Sequence, residues 1–266
     1  MAISAKEVMA LRERTGLGMM DCKKALLETD GDIEAAEEAL RIKLKGKMDS
    51  RTDRAAGEGR IAVAIAGDKA AIVEINSETD FTARNDQFVA MTQKVAELAL
   101  AGEPGAVTAN DEIDAAIDEV RIATGENCGF ARGEVLQGGK FAYYVHHDGK
   151  TGVLLQVEGD LADDVMKDIC LHITAAVPRP VAVDKEGVPA DLVEKERHIA
   201  LEQAKETGKP EEIARKIVEG KIRKFYEDIV LLEQHFVKDD KKRIRDLLGD
   251  AKIVAFRRYA VGEAKG

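Results

Sequence analysis

The spacing of apolar residues changes from helical to alternating along the chain, and this change constrains the fold more than any other feature. Over residues 4–44, apolar residues recur every three or four positions, with two interruptions at glycines. Ile61–Ile65 and Ala71–Ile75 instead alternate large residues with small or polar ones on either side of a Gly67-Asp68 turn. Helical spacing predicts helices, and alternation around a glycine turn predicts a hairpin. We therefore expect an α+β protein that begins with three short helices.

A combination of strands and helices occurs a second time further along the chain. The first hairpin is followed by two predicted amphipathic helices, near Asp86–Ala101 and Asp111–Thr124. A second sheet is predicted from three strands, Gly133–Leu136, Phe141–Val145 and Thr151–Val157. A helix over Leu161–Val177 follows this sheet. The repetition predicts two related α+β core subdomains that pack together.

From Pro189 onward the sequence becomes highly charged and predicts two helices separated by Thr207–Pro210. Their apolar positions form only a narrow seam, made of Val193, Ala200, Ile213, Ile217 and Val218. A narrow seam between two charged helices is typical of an antiparallel coiled coil, so we expect a helical hairpin that protrudes from the core. The tail predicts one helix over Asp240–Leu248 and one strand over Ile253–Tyr259.

These patterns divide the chain into five segments. They are a three-helix domain at 1–45, a linker at 46–59, a first core subdomain at 60–139, a second core subdomain at 140–187 and 229–266, and the helical hairpin at 188–228. The linker is predicted because Arg41–Arg60 has seven basic residues, three acids and no apolar period. A solvated tether explains this tract better than RNA binding does, because no aromatic residues are present for base stacking.

The charge and the cysteine content exclude several classes of protein. Forty Lys and Arg against 50 Asp and Glu give a net charge of −10, which argues against direct nucleic-acid binding by the whole molecule. No apolar run approaches the roughly 20 residues of a membrane span, so no membrane partner is expected. Three widely spaced cysteines and a charged N-terminus without a signal peptide predict a cytoplasmic protein.

Sequence motifs for nucleotide, hydrolase and metal chemistry are absent. The sequence has no P-loop, no dinucleotide-binding glycine pattern and no nucleophile elbow. Cys170 and His172 lie two apart on a predicted helix and therefore face different sides. His146 and His147 lie in an apparent strand, where neighbouring side chains point to opposite faces. We expect an interaction protein rather than an enzyme, with no metal site and no cofactor.

Two motifs resemble the bacterial elongation factor Ts family. Thr15–Leu26 reads TGLGMMDCKKAL, and Thr79–Arg84 reads TDFTAR after a strand that ends at Glu78. Shorter runs extend the resemblance along nearly the whole chain: EGR at Glu58, GEN at Gly125, YVHHDGKTGVL from Tyr144, LHITAAVPRP from Leu171, GKP at Gly208 and EQHFVKDDKK from Glu233. The resemblance implies a guanine-nucleotide exchange factor for elongation factor Tu, the GTPase that delivers aminoacyl-tRNA. It also implies that the N-terminal domain is ubiquitin-associated-like.

The resemblance further implies a segment that enters the partner. In the family the Thr-Asp-Phe segment inserts between helices of the GTPase domain and displaces its magnesium ion, so that GDP leaves. The corresponding residues here are Thr79, Asp80, Phe81 and Thr82. Phe81 is the expected wedge, because an aromatic side chain that buries about 150–250 Å² is large enough to move a packed helix. Thr82 stands where a Val is common in the family, which adds a hydroxyl but leaves the wedge in place.

Further contacts with the partner follow from the resemblance, each with a structural alternative. Met19, Met20 and Lys23 match positions that dock on the GTPase domain, whereas the alternative places both methionines in the core of the three-helix domain. Gly125 and His146 match positions that support or contact the partner near its third domain. Their alternatives are a helix C-cap and a strand histidine. The resemblance also allows a 2:2 assembly with the partner. A structural or RNA-associated module of the ribosome cycle is the competing class, and the net charge counts against it.

Overall fold

A computed structural model of the chain describes residues 3–49, 54–206 and 210–263. It is a mixed α+β protein with three helices at the N-terminus, as predicted. Its contacts divide it into two compact units. The first unit runs to Leu136 and includes Val145–Thr151 and the chain from Tyr259 onward, whereas Gln137–Tyr144 and Gly152–Arg258 form the second. The domain boundaries predicted from the sequence stay predictions.

The N-terminal helices are α1 (Ala5–Thr15), α2 (Met19–Glu28) and α3 (Ile33–Asp49). Ser4 begins α1 with a capping box, in which the amide N of Glu7 donates to Ser4 Oγ and the amide N of Ser4 donates to the Glu7 carboxylate. Gly16 ends the helix in the left-handed conformation, with a φ of 68°. The buried core of the three helices consists of Val8, Leu11, Leu17, Cys22, Ala25, Leu26, Ala36 and Leu40.

Helix α3 ends later than the sequence predicted, because its backbone stays helical to Asp49. Residues 46–49 of the predicted linker are therefore helical, and residues 50–53 lie outside the described residues. Two basic side chains of this tract are exposed but make ion pairs. Lys45 Nζ lies 3.0 Å from the Asp118 carboxylate, and Arg41 lies 3.5 Å from Glu119. These ion pairs join α3 to the helix over Asp111–Thr124 in the same unit. Arg41 and Lys45 therefore belong to a packed helix and not to a solvated tether.

The first sheet and its helices follow in the order β1 (Glu58–Ala66), β2 (Lys69–Ser77), α4 (Asp80–Ala83), α5 (Asp86–Ala99), β3 (Gly105–Ala106), α6 (Asp111–Thr124) and β4 (Gly129–Gln137). The predicted hairpin is confirmed, since β1 and β2 pair antiparallel from Glu58↔Ser77 to Ala66↔Lys69. The apolar faces of α5 and α6 pack on this sheet around Phe88, Met91, Val95, Ile113, Ile117 and Val120. Burial of these amphipathic faces holds the two helices in place.

Strand β4 was predicted in the second sheet, and this prediction is wrong. The observed strand order is β1-β2-β4-β3, so β4 belongs to the first sheet. The reason is non-local packing: Val135 of β4 lies in the same buried core as Val73 of β2. Gly133 allows this approach, because a Cβ there would lie 3.1 Å from Val73 and 3.2 Å from the carbonyl oxygen of Ile72.

The second unit contains most of a three-stranded sheet and the remaining helices. Its elements are β5 (Lys140–Val145), β6 (Thr151–Glu158), α7 (Asp163–Ala175), α8 (Ala190–Glu206), α9 (Glu211–Ile229), β7 (His235–Phe236), β8 (Asp239–Arg243) and β9 (Lys252–Ala260). The strand order of the sheet is β5-β6-β9. Helix α7 packs on it through Met166, Ile169, Cys170 and Ile173, which are buried. The predicted strand near the C-terminus is thus confirmed as β9.

Helices α8 and α9 form the predicted hairpin, and three alanines, a valine and an isoleucine make its seam. The buried seam residues are Ala200, Ala204, Ala214, Val218 and Ile222. Ile213 was predicted in the seam but is 46% exposed. At the base of the hairpin, Val193 and Phe225 pack with Ala182 and Val230 in a separate cluster. The base is therefore fixed to the second unit by its own apolar contacts.

The helix predicted over Asp240–Leu248 is wrong. Strand β8 pairs with β7 instead, and Ile244–Leu247 forms a short 3₁₀ turn. Residues 239–243 are all charged and leave no apolar face for a helix to bury, whereas the apolar Ile244, Leu247 and Leu248 pack in the core from the 3₁₀ turn and the residue after it. Arg243 bonds Glu233 at 2.6 Å and Glu227 at 3.1 Å from within β8.

A buried hydrogen-bond network surrounds His172 of α7. The amide N of Val237 donates to His172 Nδ1 at 3.3 Å, so the ring donates from Nε2 to Gln234 Oε1 at 3.0 Å. The Gln234 side-chain amide in turn donates to the carbonyl oxygens of Pro178 and Asp228. Burial lowers the pKa of His172 below its ordinary value, only partly opposed by the bond to Gln234.

We expect acid to destabilise the fold partly through His172. Because its folded-state pKa is lowered, the unfolded chain binds the proton first as the pH falls below about 6.5, so the free energy of unfolding decreases. Urea denaturation between about pH 7.5 and about pH 5.5 measures this decrease. The variant His172→Gln should lose part of the pH dependence, since glutamine does not titrate. Identical pH profiles for the two proteins would contradict the role of His172.

Candidate functional site

The segment Thr79–Thr82 follows β2 and forms the cap and most of the single turn of α4. Thr79 is the N-cap of this turn, with an extended backbone and its Oγ1 accepting from the amide N of Thr82 at 3.3 Å. Thr82 and Ala83 are buried and fix the inner side of the turn. Phe81 projects from the other side and is 84% exposed. A phenyl ring is therefore held in solvent on a short, capped turn.

The backbone at Thr79 is held by a carboxylate from another loop. Glu126 follows α6 and accepts two bonds, from Thr79 N to Oε2 at 3.1 Å and from Thr79 Oγ1 to Oε1 at 2.7 Å. The neighbouring residues make the reverse contact, since Glu78 Oε1 accepts from the amide N of Asn127 at 2.7 Å. The two loops thus bind each other through reciprocal carboxylate-to-backbone bonds. We call this pair of contacts, Glu126 to Thr79 and Glu78 to Asn127, the loop clamp.

Asp80 occupies the first turn of α4 next to Phe81. Its carboxylate pairs with Arg84 at 3.1 Å, and its side chain is 38% exposed. An acid at the start of a helical turn and a base four residues later both favour the turn electrostatically. Asp80 therefore stabilises α4 and still presents a carboxylate to solvent beside the exposed ring.

The methionines of α2 do not pack into the core. Met19 is 52% exposed and Met20 is 78% exposed, and Lys23 is also exposed. The inward positions of the same helix are taken by Cys22, Ala25 and Leu26. The alternative in which Met19 and Met20 fill the miniature core is therefore wrong. Both side chains are free to contact another molecule, as flexible methionines often do.

Gly125 and His146 have clear local roles. Gly125 is the C-cap of α6, where its φ of 74° favours glycine and its amide N donates to the carbonyl oxygen of Arg121 at 2.9 Å. His146 was predicted to lie in a strand. This prediction is wrong, because β5 ends at Val145. His146 begins the turn to β6, with its amide N donating to the carbonyl oxygen of Thr151 at 2.8 Å. The centroids of the His146 and His147 rings lie 4.3 Å apart, and the rings meet edge to face.

Comparison with known proteins decides the family. The model of the family described as Elongation factor TS matches residues 78–263. Elongation factor Ts of Thioalkalivibrio sulfidiphilus is 45% identical over a match that covers 99% of this chain and 93% of the relative. The chain belongs to the elongation factor Ts family. Further relatives named elongation factor Ts are those of Thiobacillus denitrificans, 44% identical over 98% of this chain and 92% of theirs, and Hydrogenobaculum, 41% identical over 98% and 100%.

Membership of the elongation factor Ts family supports a role as a translation elongation factor. The family match begins at Glu78, so it contains the exposed segment and both halves of the loop clamp. The relatives match nearly the whole chain, which includes α2 with Met19 and Met20. All the residues that the resemblance singled out therefore lie inside regions shared with the family.

The structure brings the predicted segment together with the loop that follows Gly125. The two residues that join them, Glu78 and Glu126, were not predicted from the sequence. Both stand next to runs that carried the family resemblance, but a carboxylate bonded to backbone 47 positions away leaves no local pattern. By contrast, the exposed residues Met19, Met20 and Lys23 lie on another helix, α2, whose inward side packs in the core of the three N-terminal helices.

Burial raises the pKa of both the Cys128 and the Cys170 thiols to about 12, so each stays protonated and unreactive near neutral pH. Among residues 3–49, 54–206 and 210–263, no three His, Cys, Asp or Glu side chains gather as metal ligands would. Within the same ranges, none of the helices is both long and apolar enough to cross a bilayer.

Proposed function

We propose that this chain is a guanine-nucleotide exchange factor that binds elongation factor Tu and promotes release of its GDP, so that GTP can bind. The observation that carries the proposal is the 84% exposure of Phe81 on a capped and clamped turn. Leaving a phenylalanine in water forgoes about 1.5–3 kcal/mol of burial free energy, which insertion into a partner would recover. Membership of the elongation factor Ts family points to the same partner.

Phe81 acts as a wedge at the magnesium site of the GTPase. Magnesium requires near-octahedral coordination, so a small displacement of a ligand-bearing element weakens its binding. Loss of the ion leaves the phosphates of GDP less well neutralised, and the nucleotide dissociates. Asp80 lies beside the ring and adds a polar contact, while Thr79 and Thr82 hold the turn.

No covalent bond is made or broken in this process, so the protein is not an enzyme in the chemical sense. It stabilises a conformation of elongation factor Tu that holds nucleotide weakly. The coupling is reciprocal, which means that returning nucleotide weakens the binding of the factor by the same ratio. A factor with equal affinity for both conformations would not accelerate release.

Other exposed residues supply binding area around the wedge. Met19, Met20 and Lys23 dock on the GTPase domain through α2. Gly125 and His146 support or contact a second region of the partner near its third domain. A 2:2 assembly with elongation factor Tu stays a prediction from the resemblance.

An RNA-associated role has less support than the exchange role. The basic tract that suggested it pairs in part with acids of α6, through Lys45 to Asp118 and Arg41 to Glu119. A salt titration separates the two roles, because RNA binding weakens steeply with salt whereas an interface led by Phe81 does not.

The proposal is tested by stopped-flow measurement of fluorescent GDP leaving elongation factor Tu, with and without this protein. We expect a large acceleration that saturates with the concentration of the factor. Excess magnesium should reduce the acceleration, because it opposes displacement of the ion. An unchanged rate of GDP release at saturating protein would overturn the proposed function.

Shortening the helical hairpin is expected to leave most of the exchange activity. Replacing residues 200–220 by a short Gly-Ser linker removes the distal seam but keeps Val193 and Phe225 at the base. Because the wedge lies in the first unit, its geometry should not depend on the distal hairpin. The same stopped-flow assay measures the result, with the melting temperature as a folding control. Complete loss of exchange by a folded variant would show that the hairpin is an essential contact.

A further inference from the structure

We infer that Glu126 is a positioning residue for the wedge: its carboxylate holds Thr79 so that the α4 turn presents Phe81 in one orientation. This inference rests on the proposed exchange function and extends it to a residue that does not itself have to touch the partner. Glu126 lies in the loop after α6, directly beyond the Gly125 cap.

The first support is the two-point contact between Glu126 and Thr79. One carboxylate oxygen accepts the amide hydrogen of Thr79 at 3.1 Å, and the other accepts its hydroxyl hydrogen at 2.7 Å. Bonds to a carboxylate are stronger than bonds between neutral groups, and two of them fix orientation as well as distance. The backbone of Thr79 is therefore fixed relative to α6, and not only relative to its own strand.

The second support is the way in which the hydroxyl of Thr79 is used. A threonine hydroxyl has one hydrogen and two lone pairs. Because Thr79 Oγ1 gives its hydrogen to Glu126, a lone pair is left for the amide N of Thr82, which donates to Oγ1 at 3.3 Å. Glu126 thereby favours the rotamer of Thr79 that caps α4. The chain of contacts runs from Glu126 through Thr79 to the turn that carries Phe81.

The third support is the reciprocal half of the loop clamp. Glu78 Oε1 binds the amide N of Asn127 at 2.7 Å, and the Asn127 side chain donates to the carbonyl oxygen of Arg54 at 2.8 Å. Arg54 lies 3.5 Å from Glu78 and completes the ring of contacts. The loop that carries Glu126 is thus itself held in place, as a positioning residue requires.

Orientation matters because a wedge must enter a packed site at one angle. A turn that samples several orientations has to be ordered on binding, which reduces the free energy available for displacing the partner's helix. The buried side chains of Thr82 and Ala83 fix the inner side of α4. The Glu126 contact fixes its N-terminal end, so the short turn is held both at that end and on its inner side.

The test compares Glu126→Gln and Glu126→Ala with the full chain in the stopped-flow GDP-release assay. We expect Glu126→Ala to lower kcat/KM for exchange by about fivefold to tenfold, through loss of a charge-assisted contact. Glu126→Gln should have a smaller effect, because its amide oxygen can still accept one of the two Thr79 hydrogens. The control Glu103→Gln removes an exposed acid from another loop and should leave exchange unchanged.

Two further measurements separate positioning from a general effect on folding. In a Phe81→Ala background, Glu126→Ala should cause almost no additional loss, because there is no ring left to orient. Hydrogen exchange of the Thr79 amide should become faster in Glu126→Ala, while that of the buried Val73 amide stays slow. Each variant must have a melting temperature close to that of the full chain. If Glu126→Ala does not fold, the same comparisons are made with Glu126→Gln.

The outcomes distinguish the two claims. If the full chain fails to accelerate GDP release, the proposed function is wrong, and the hydrogen-exchange measurement still reports on the Glu126 contact. If the full chain and Phe81→Ala behave as expected but folded Glu126 variants exchange at the full rate, the positioning role is overturned. Equal fold-losses from Glu126→Ala with and without Phe81 would overturn it as well.

Discussion

Replacement of Phe81 by alanine is expected to slow the catalysed release of GDP from elongation factor Tu by about tenfold or more, which corresponds to about 1.4 kcal/mol or more of lost coupling. The ring is 84% exposed and makes no part of the buried core. Its removal therefore leaves the folded chain intact, with a change in unfolding free energy within about 0.5 kcal/mol. The loss should appear in the exchange rate and not in the melting temperature.

The measurement is stopped-flow release of fluorescent GDP at several concentrations of the factor. Val177→Ala provides a matched control, because Val177 is also a strongly exposed apolar residue, at 93%, and lies far along the sequence from the proposed wedge. Phe81→Leu should fall between the full chain and Phe81→Ala, since leucine keeps part of the apolar volume. If Phe81→Ala exchanges at the rate of the full chain, the wedge has no part in the mechanism.

The fold was predictable from the sequence where local periodicity decides the structure. Helices α1, α2, α5 and α6 and the β1–β2 hairpin each follow from apolar spacing with a cap or a glycine turn. Strand β4 was assigned to the wrong sheet, because its partner is chosen by contacts between Val135 and the distant Val73. The helix predicted over Asp240–Leu248 was wrong for a similar reason. The ion pairs of Arg243 with Glu227 and Glu233 join residues that are distant in the sequence, so a local pattern does not predict them.

The candidate site was predictable only in part. The family resemblance named Phe81, but no property of the TDFTAR run by itself indicates that the ring is exposed while Thr82 is buried. That division comes from the helical geometry of α4, in which neighbouring side chains point about 100° apart. Glu126 could not be predicted at all, since its bonds to Thr79 join loops that are separated by 47 positions.

The second large effect is expected at Glu74, a buried carboxylate of β2 that is 2% exposed. Arg132 of β4 pairs with it at 2.7 Å and also donates to the carbonyl oxygen of Ala260 at 3.0 Å. The guanidinium lies 4.2 Å from the centre of the Tyr259 ring, and the amide N of Gly262 donates to Glu74 at 3.0 Å. This pair joins two strands of the first sheet to the C-terminal end of the chain within the same unit.

We expect Glu74→Ala to lower the free energy of unfolding by about 3–5 kcal/mol, because it leaves the guanidinium of Arg132 largely buried without its counter-charge. Urea denaturation measures the loss, with exposed Glu103→Ala as a control that should stay within about 0.5 kcal/mol. Hydrogen exchange should report the same event at the C-terminus, through faster exchange of the Gly262 amide.

A double replacement distinguishes two contributions to the free energy of unfolding. One is the net stabilisation by the Glu74–Arg132 ion pair, and the other is the destabilisation that a single unpaired charge causes. Glu74→Met combined with Arg132→Met removes both charges and keeps apolar volume in the strands. Since desolvation of a buried ion pair offsets much of its attraction, the double variant should be more stable than Glu74→Ala. A loss below about 1 kcal/mol in Glu74→Ala would contradict the buried-pair account, and would mean that water reaches Arg132 once the carboxylate is gone.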